Sequence, residues 1–278
     1  MQTAIYQILY DDWIVGHSDP AFMIYDCRHN PERERRETAH MLRFYDEVIC
    51  QTGCDDIFGL LSPKFARKAG LPGHAFVEWI EANPGHDVYF INPYPSVGYS
   101  TFNVWTQGEF WHPGLGELAN SLFAAAGVPI RVEALPRNSA ATLLYCNYWV
   151  GRRNFWHGFM RFVRSMVMAV ENLDIPQRKR ISDPTPYHLP ATYFPFVFER
   201  LFSTYLVLQG NVNALAYRYS HDAIINSADI NEMERYALRT WADMIDAWDA
   251  EQRNDLSYRR LFANLHGMAR FYDAAPPR

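Results

Sequence analysis

The sequence predicts an α/β protein with a mainly parallel, Rossmann-like sheet flanked by helices and a helical C-terminal portion. Three observations carry this. Short apolar runs of strand length alternate with runs of helical period as far as Asn172. The strand-like runs end in polar or proline-containing segments. Beyond Asn172 the texture changes to a proline-rich stretch followed by helical periods. The 278 residues, 49% of them hydrophobic, are ample for a core of this kind.

Ala4–Tyr10 reads as the first strand, closed by Asp11-Asp12, and Phe22–Tyr25 as the second, ending at Asp26. A helix is expected from Glu32 to Gln51, with Pro31 in its first turn and Met41, Leu42, Tyr45, Val48 and Ile49 at helical spacing. Asp56–Leu61 is a buried strand, His74–Ala82 a helix and Asp87–Ile91 a further strand ending in Asn92-Pro93. A polar aromatic loop then spans Asn103–His112. It precedes a helix at Leu115–Ala126, a short strand near Ile130–Ala134, and a strand at Leu143–Val150. Arg152–Asn172 is a helix with Phe155, Phe159, Phe162, Val163, Met166 and Val170 on its buried stripe. Asp174–Pro190 reads as a loop or lid. Phe194–Gln209 is helical, Ala214–Ser220 strand-like, and Asn231–Glu251 and Tyr258–Tyr272 helical, with Trp241 and Trp248 in the core. Residues 1–172 thus form the α/β body, and 173–278 a proline-rich loop and helical portion packed on the same domain.

Bulk chemistry narrows the partners. A net charge of −5 gives no reason to expect nucleic acid. The chain enters its first strand without a basic n-region, and no apolar run approaches membrane-span length, so a cytoplasmic protein is expected. Cys27, Cys50, Cys54 and Cys146 lack the spacing of a disulfide framework or a zinc site, so reduced thiols are expected. There is no P-loop, no GxGxxG after the first strand, no GxSxG and no HExxH.

Polar groups do gather near the ends of the expected strands: Asp26–Asn30, Ser62–Phe65, Asn92-Pro93, Asn103–His112 and Asn147-Tyr148. If the strands are parallel, their carboxyl ends share one edge and these segments converge on one cleft. The stretch Thr101–Pro113 sets Asn103, Gln107, Glu109 and His112 beside Trp105, Phe110 and Trp111. Such a mixture of amides, a carboxylate and flat apolar faces suits a sugar ring.

The run Phe58-Gly59-Leu60-Leu61-Ser62-Pro63-Lys64-Phe65-Ala66-Arg67-Lys68-Ala69-Gly70-Leu71 resembles a segment of bacterial surface-polysaccharide glycosyltransferases, which carry a GxxS-x-[KR]-F-x-x-K pattern followed by an extended segment ending in Asn-Pro. Cys146–Gly151 with Phe155-Trp156, and Phe196–Leu201, are similar to the same group. The resemblance spans Asp26 to Leu206 and implies a nucleotide-sugar fold of the GT-A kind. It also implies sugar transfer onto a glycan or lipid-linked glycan, with peripheral association at the inner face of a membrane.

The Asp-x-Asp motif by which many such enzymes hold Mn²⁺ or Mg²⁺ is missing; Asp11-Asp12 and Asp55-Asp56 are adjacent pairs. Either scattered ligands hold a metal, or Arg28, Lys64 and Arg152 neutralise the phosphates. For the base that deprotonates the acceptor, Glu109 is the first candidate and Asp26 the second. The competing reading of Glu109 is a carboxylate capping the helix that begins near Pro113. Tyr10, Asp11, Arg28, Asn30, Ser62, Lys64, Asn92 and Arg152 are expected at the nucleotide sugar. Asn103, Trp105, Gln107, His112, Asn147 and Tyr148 are expected at the sugar or acceptor. Glu199 and Arg200 read as a structural ion pair. The alternatives are a non-catalytic carbohydrate- or nucleotide-binding protein and, after it, a glycoside hydrolase with Glu109 and Asp26 facing each other.

Overall fold

A computed structural model describes residues 2–53, 56–186, 191–227 and 230–273. Its centre is a six-stranded sheet formed by β1 (Thr3–Leu9), β2 (Met23–Asp26), β3 (Ile57–Leu61), β4 (Val88–Phe90), β5 (Trp149–Arg152) and β6 (Ala214–Ala216). The spatial order is β2-β1-β3-β5-β4-β6. β1 is parallel to both β2 and β3, and β4 is parallel to β6. β5 runs antiparallel to β3 and β4, so five strands point one way and one is reversed. β3 and β4 are buried along their whole length, as the apolar runs predict, whereas the edge strand β2 buries only Tyr25. Gly59 lets β3 and β5 approach, because a Cβ there would collide with the Val150 side chain.

The helices are α1 (Glu37–Phe44), α2 (Phe65–Ala69), α3 (Gly73–Ala82), α4 (Val104–Trp111), α5 (Leu115–Ala125), α6 (Arg153–Ala169), α7 (Ile175–Ser182), α8 (Tyr193–Glu199), α9 (Leu201–Gln209), α10 (His221–Ile225), α11 (Glu232–Ala250) and α12 (Leu256–Asp273). One core runs from Ile5 to Ala216 and joins the sheet to α1–α9, with Trp149 and Trp156 fully enclosed. A second core lies between Tyr99, Phe102 and the last three helices. Arg137 ties the two cores together. Its guanidinium donates to Asp249 at 2.7 Å, to the Tyr258 hydroxyl at 2.9 Å, and to the carbonyls of Gly98 and Thr101 at 2.6 and 2.9 Å.

Several elements differ from expectation, each for a local reason. The helix expected over Glu32–Gln51 is broken. A 3₁₀ turn at Arg33–Arg35 precedes Arg36, whose φ of 47° interrupts the chain before α1, and Tyr45–Ile49 widens into a π-helical turn. The Asn103–His112 loop is the helix α4. Asn103 caps it by accepting from the amides of Trp105 and Thr106, with the Thr106 hydroxyl completing a capping box. The strand expected near Ile130–Ala134 is a 3₁₀ turn. The strand expected from Leu143 begins only at Trp149, because Cys146 and Asn147 adopt left-handed backbone with φ of 65° and 52°. Asp174 caps α7 within the expected loop. Cys54, Asp55 and residues 187–190 lie outside the described residues, and Cys27, Cys50 and Cys146 are free thiols.

Candidate functional site

The sheet topology determines which loops meet. β1, β2, β3 and β4 end on one edge, delivering Tyr10-Asp11, Asp26–Arg28, Ser62–Lys64 and Asn92. Since β5 is reversed, the residues that precede it, Cys146, Asn147 and Tyr148, arrive at this edge too. The connection leaving β1 goes to β2 on one side, and the chain leaving β3 goes to the other. The crevice between the ends of β1 and β3 is therefore a topological switch point, where open α/β sheets receive ligands.

At this edge a set of ionisable side chains is packed together. Asn147 Nδ2 donates to Glu37 Oε2 at 3.3 Å, and the Cys146 amide donates to Glu199 Oε1 at 2.8 Å. Lys68 Nζ lies 3.1 Å from Cys146 Sγ and 5.6 Å from the centre of the Tyr94 ring. Asn92 holds the Tyr94 turn through both ends of its amide, each at 3.2 Å. Glu37 keeps partial contact with water yet is densely surrounded. Burial, and then the charge of Glu199, push its carboxyl from 4.5 up to about 7, against the opposing effects of Asn147, Lys68 and Arg36. Tyr10 belongs to the same neighbourhood: burial and then Glu37 raise its hydroxyl, while Arg67 opposes. Burial and then Glu199 push the Cys146 thiol up to about 12, so at neutral pH it is a thiol and a poor nucleophile.

Backbone strain is concentrated here. Among the described residues, the non-glycine positions with positive φ are Arg36, Cys146, Asn147 and Gln252. The first three flank the Glu37–Glu199 cluster. Each such conformation costs about 1–3 kcal/mol and persists only where the surroundings enforce it, which is characteristic of functional sites.

The residues expected from the sequence divide into three groups. Tyr10, Asp11, Ser62, Lys64, Asn92, Asn147 and Tyr148 do come to the shared edge. Tyr10 and Lys64 are exposed, Asn92 and Tyr148 are buried, and Ser62 accepts from the Lys64 amide at 3.2 Å. Asp26, Arg28 and Asn30 reach the end of β2 but are engaged with one another and their own turns. Arg28 pairs with Asp26 and, at 2.7 Å, with Asp12, while Asn30 accepts from the Glu32 amide at 2.9 Å. Hydrogen bonds from the Arg28 side chain and amide hold the Asp26 carboxyl down at about 2, a weak base at neutral pH.

The remainder are used within the fold. Arg152 ends the reversed β5 and so sits at the opposite edge, donating to the His86 carbonyl at 2.9 Å. Glu109 accepts from the amides of Gly114 and Gly116 at 2.8 and 2.9 Å, which is the capping role. Asn103 is the α4 cap, and the Trp105 indole donates to Thr204 at 3.0 Å. Gln107 accepts from Arg200 at 2.5 Å, and His112 is buried against the Phe196 ring at 3.7 Å. The groove between Glu109 and Asp26 expected of a hydrolase is therefore not built from these two carboxylates.

Glu37 carries no mark in the sequence, where it lies in the charged run Glu32–Glu37 inside the expected helix Glu32–Gln51. The signal that marks it is position: it opens the helix after β2, at the edge where the strands end. Glu199 contacts Arg200 at only 3.8 Å, and the Arg200 guanidinium turns instead to the carbonyl of Val104, at 2.8 Å, and to Gln107. Among the described residues, no three His, Cys, Asp or Glu side chains are grouped to hold a metal ion. The donor set at Glu37 is two carboxylates, an amide and an amine, so no metal-dependent step is derived from it. An open hollow of about 600 Å³ follows residues 28–35, but it is lined by that one segment and its Arg28 and Arg35 are already paired with carboxylates.

No family model, curated protein or solved structure matches this chain. Among the described residues no helix is long and apolar enough to cross a membrane.

Proposed function

We propose that the protein is a glycosyltransferase that moves a sugar from a nucleotide-sugar donor to a glycan acceptor in surface-polysaccharide biosynthesis. Its nucleotide lies in the crevice between β1 and β3, and Glu37 is the base. The carrying observation is the placement of Glu37 at the strand-end edge, where Asn147 donates to it at 3.3 Å and burial raises its carboxyl to about 7. A general base works best when its pKa lies near the operating pH. Glu37 takes the proton of an acceptor hydroxyl as that oxygen bonds to the anomeric carbon. The bond from this carbon to the nucleotide phosphate breaks, and its electron pair leaves with the nucleoside diphosphate. Lys64 and Arg67, on the loop and helix after β3, supply positive charge beside the crevice for the departing phosphates. Asn147 orients Glu37, and Glu199 is held by the Cys146 amide beside it. The run Phe58–Leu71, which resembles surface-polysaccharide transferases, forms β3, its loop and α2, and so borders this crevice. A cytoplasmic location at the inner face of a membrane belongs to the same reading.

A pair of neighbouring carboxylates with one pKa raised also favours, as second reading, a glycoside hydrolase. One assay separates them. The protein is incubated with UDP-, GDP-, CMP- and dTDP-sugars plus oligosaccharide acceptors, and in parallel with aryl glycosides. Nucleotide release that falls about 10²–10⁴-fold in Glu37→Gln, with nucleotide binding intact, is the expected result. Turnover of aryl glycosides alone supports the hydrolase. Nucleotide-sugar turnover unaffected by Glu37→Gln contradicts the assignment of the base.

A further inference from the structure

Charge and exposed apolar surface coincide on α6 and α7 in a way the cleft does not use. Between residues 153 and 182 the chain carries Arg153, Arg161, Arg164, Arg178, Lys179 and Arg180 against two carboxylates, Glu171 and Asp174. The helices α6 and α7 contain no acidic residue at all, in a chain whose net charge is −5. Arg164 pairs with Asp46 and Arg178 with Glu171, while Arg161 and Lys179 are exposed. Along α6 the outward line runs Asn154, Arg161, Met168, a spacing of seven that returns to the same face.

The apolar residues are equally marked. Met168 is 71% exposed and Ile175 is 85% exposed, the two highest values for large hydrophobic side chains among the described residues. Trp111, 48% exposed, stands close by: Pro113, two residues on, accepts at 2.8 Å from Arg180 of α7. Met168 lies in the last turn of α6, Ile175 opens α7, and a single 3₁₀ turn stands between the two helices.

We propose that the end of α6, the turn after it and α7 form a docking surface for an anionic phospholipid bilayer. Met168, Ile175 and Trp111 enter the interface, and Arg161, Lys179 and their neighbours meet the headgroups. The combination of protruding apolar side chains with a cationic surround is the chemistry of interfacial binding, where buried apolar area and attraction to anionic lipid add. An acidic protein would satisfy the cations but leave these prongs without a complementary pocket.

The test is co-sedimentation of the full chain with vesicles of phosphatidylcholine alone and of phosphatidylcholine mixed with phosphatidylglycerol, at low and high salt. Binding is expected only with phosphatidylglycerol and should weaken with salt. Arg161→Gln and Lys179→Gln should each lower the partition coefficient about fivefold, and Met168→Ser with Ile175→Ser about tenfold or more. These positions are exposed, so each variant should keep the wild-type unfolding midpoint. Leu256→Ser, 62% exposed on the C-terminal helix α12, is the control and should bind as wild type. No binding to anionic vesicles, equal binding to both vesicle types, or losses no larger than that of Leu256→Ser would each overturn the proposal. Vesicle binding needs no sugar donor, so its failure is distinguishable from failure of the transferase reading.

Discussion

Glu37, the proposed base, is where the energetic cost of the proposed site should be measurable. Its carboxyl is raised from 4.5 to about 7, so the folded state holds this proton more tightly than the unfolded chain does. The destabilisation is absent below pH 4.5, grows as pH rises, and is complete above about 7. The shift corresponds to at most roughly 3 kcal/mol. Glu37→Gln should therefore unfold like wild type at pH 4 and be more stable by about 1–3 kcal/mol at pH 8, as measured by urea denaturation at both pH values. A variant no more stable at pH 8 would mean that the carboxyl ionises without penalty. Tyr145 offers a second test at this scale. Its hydroxyl is buried without a hydrogen-bond partner, so Tyr145→Phe should leave the thermal midpoint unchanged or raise it. At this scale the sequence was only partly legible. Asn147 stands out because its neighbours resemble a transferase segment, and it donates to Glu37. Glu37 acquires its character from burial and then from Glu199, far along the chain, neither of which a local reading supplies.

Helix α4 shows how the identity of an element decides what its polar groups are used for. Asn103, Gln107, Glu109 and His112 look like ligand groups in a loop, yet all lie in or next to a capped helix. The capping signal was present in Asn103-Val104-Trp105-Thr106, but the dense aromatic content favoured the binding reading. Arg200 is the tertiary reason Gln107 is taken up by the fold: it donates to the Val104 carbonyl and to Gln107, and it passes directly over Gly108. A Cβ at position 108 would strike both Arg200 and Leu115. Gly108→Ala should thus destabilise the protein by about 1–3 kcal/mol in chemical denaturation, although alanine is the better helix former. A stabilised Gly108→Ala would show that Arg200 is not fixed there. The reversed β5 is the other lesson at this scale. Apolar runs announce that a strand exists, but direction depends on connections, and that direction moves Arg152 to the far edge while bringing Asn147 to the near one.

For the whole molecule, the α/β class and the mainly parallel sheet were legible because strand and helix periods alternate cleanly. β6 was legible as a strand within Ala214–Ser220, but its place beside β4 was not, since pairing partners across more than a hundred residues leave no local signal. The second core depends on Arg137, whose ion pair with Asp249 is nearly enclosed. Arg137→Ala should cost about 3–5 kcal/mol and make the C-terminal helices the first part cut by a protease. Acid should weaken the fold as well. Burial lowers His40 and His112 from 6.5 to about 4, so the stability linked to their neutral forms is complete above pH 6.5 and lost as pH falls toward 4. Glu37 acts in the opposite sense between pH 7 and 4.5, so Glu37→Gln should show a steeper acid loss than wild type. The central claim, a nucleotide-sugar site at the strand-end cleft, is tested most directly by thermal shift with nucleoside diphosphates and their sugars, each with and without Mn²⁺ or Mg²⁺. A ligand at a hundredfold its dissociation constant adds about 2.7 kcal/mol to the native state. The account predicts a rise of the unfolding midpoint by one nucleotide family, diminished by Lys64→Ala. No rise with any nucleotide, together with a rise from free oligosaccharides, would contradict it.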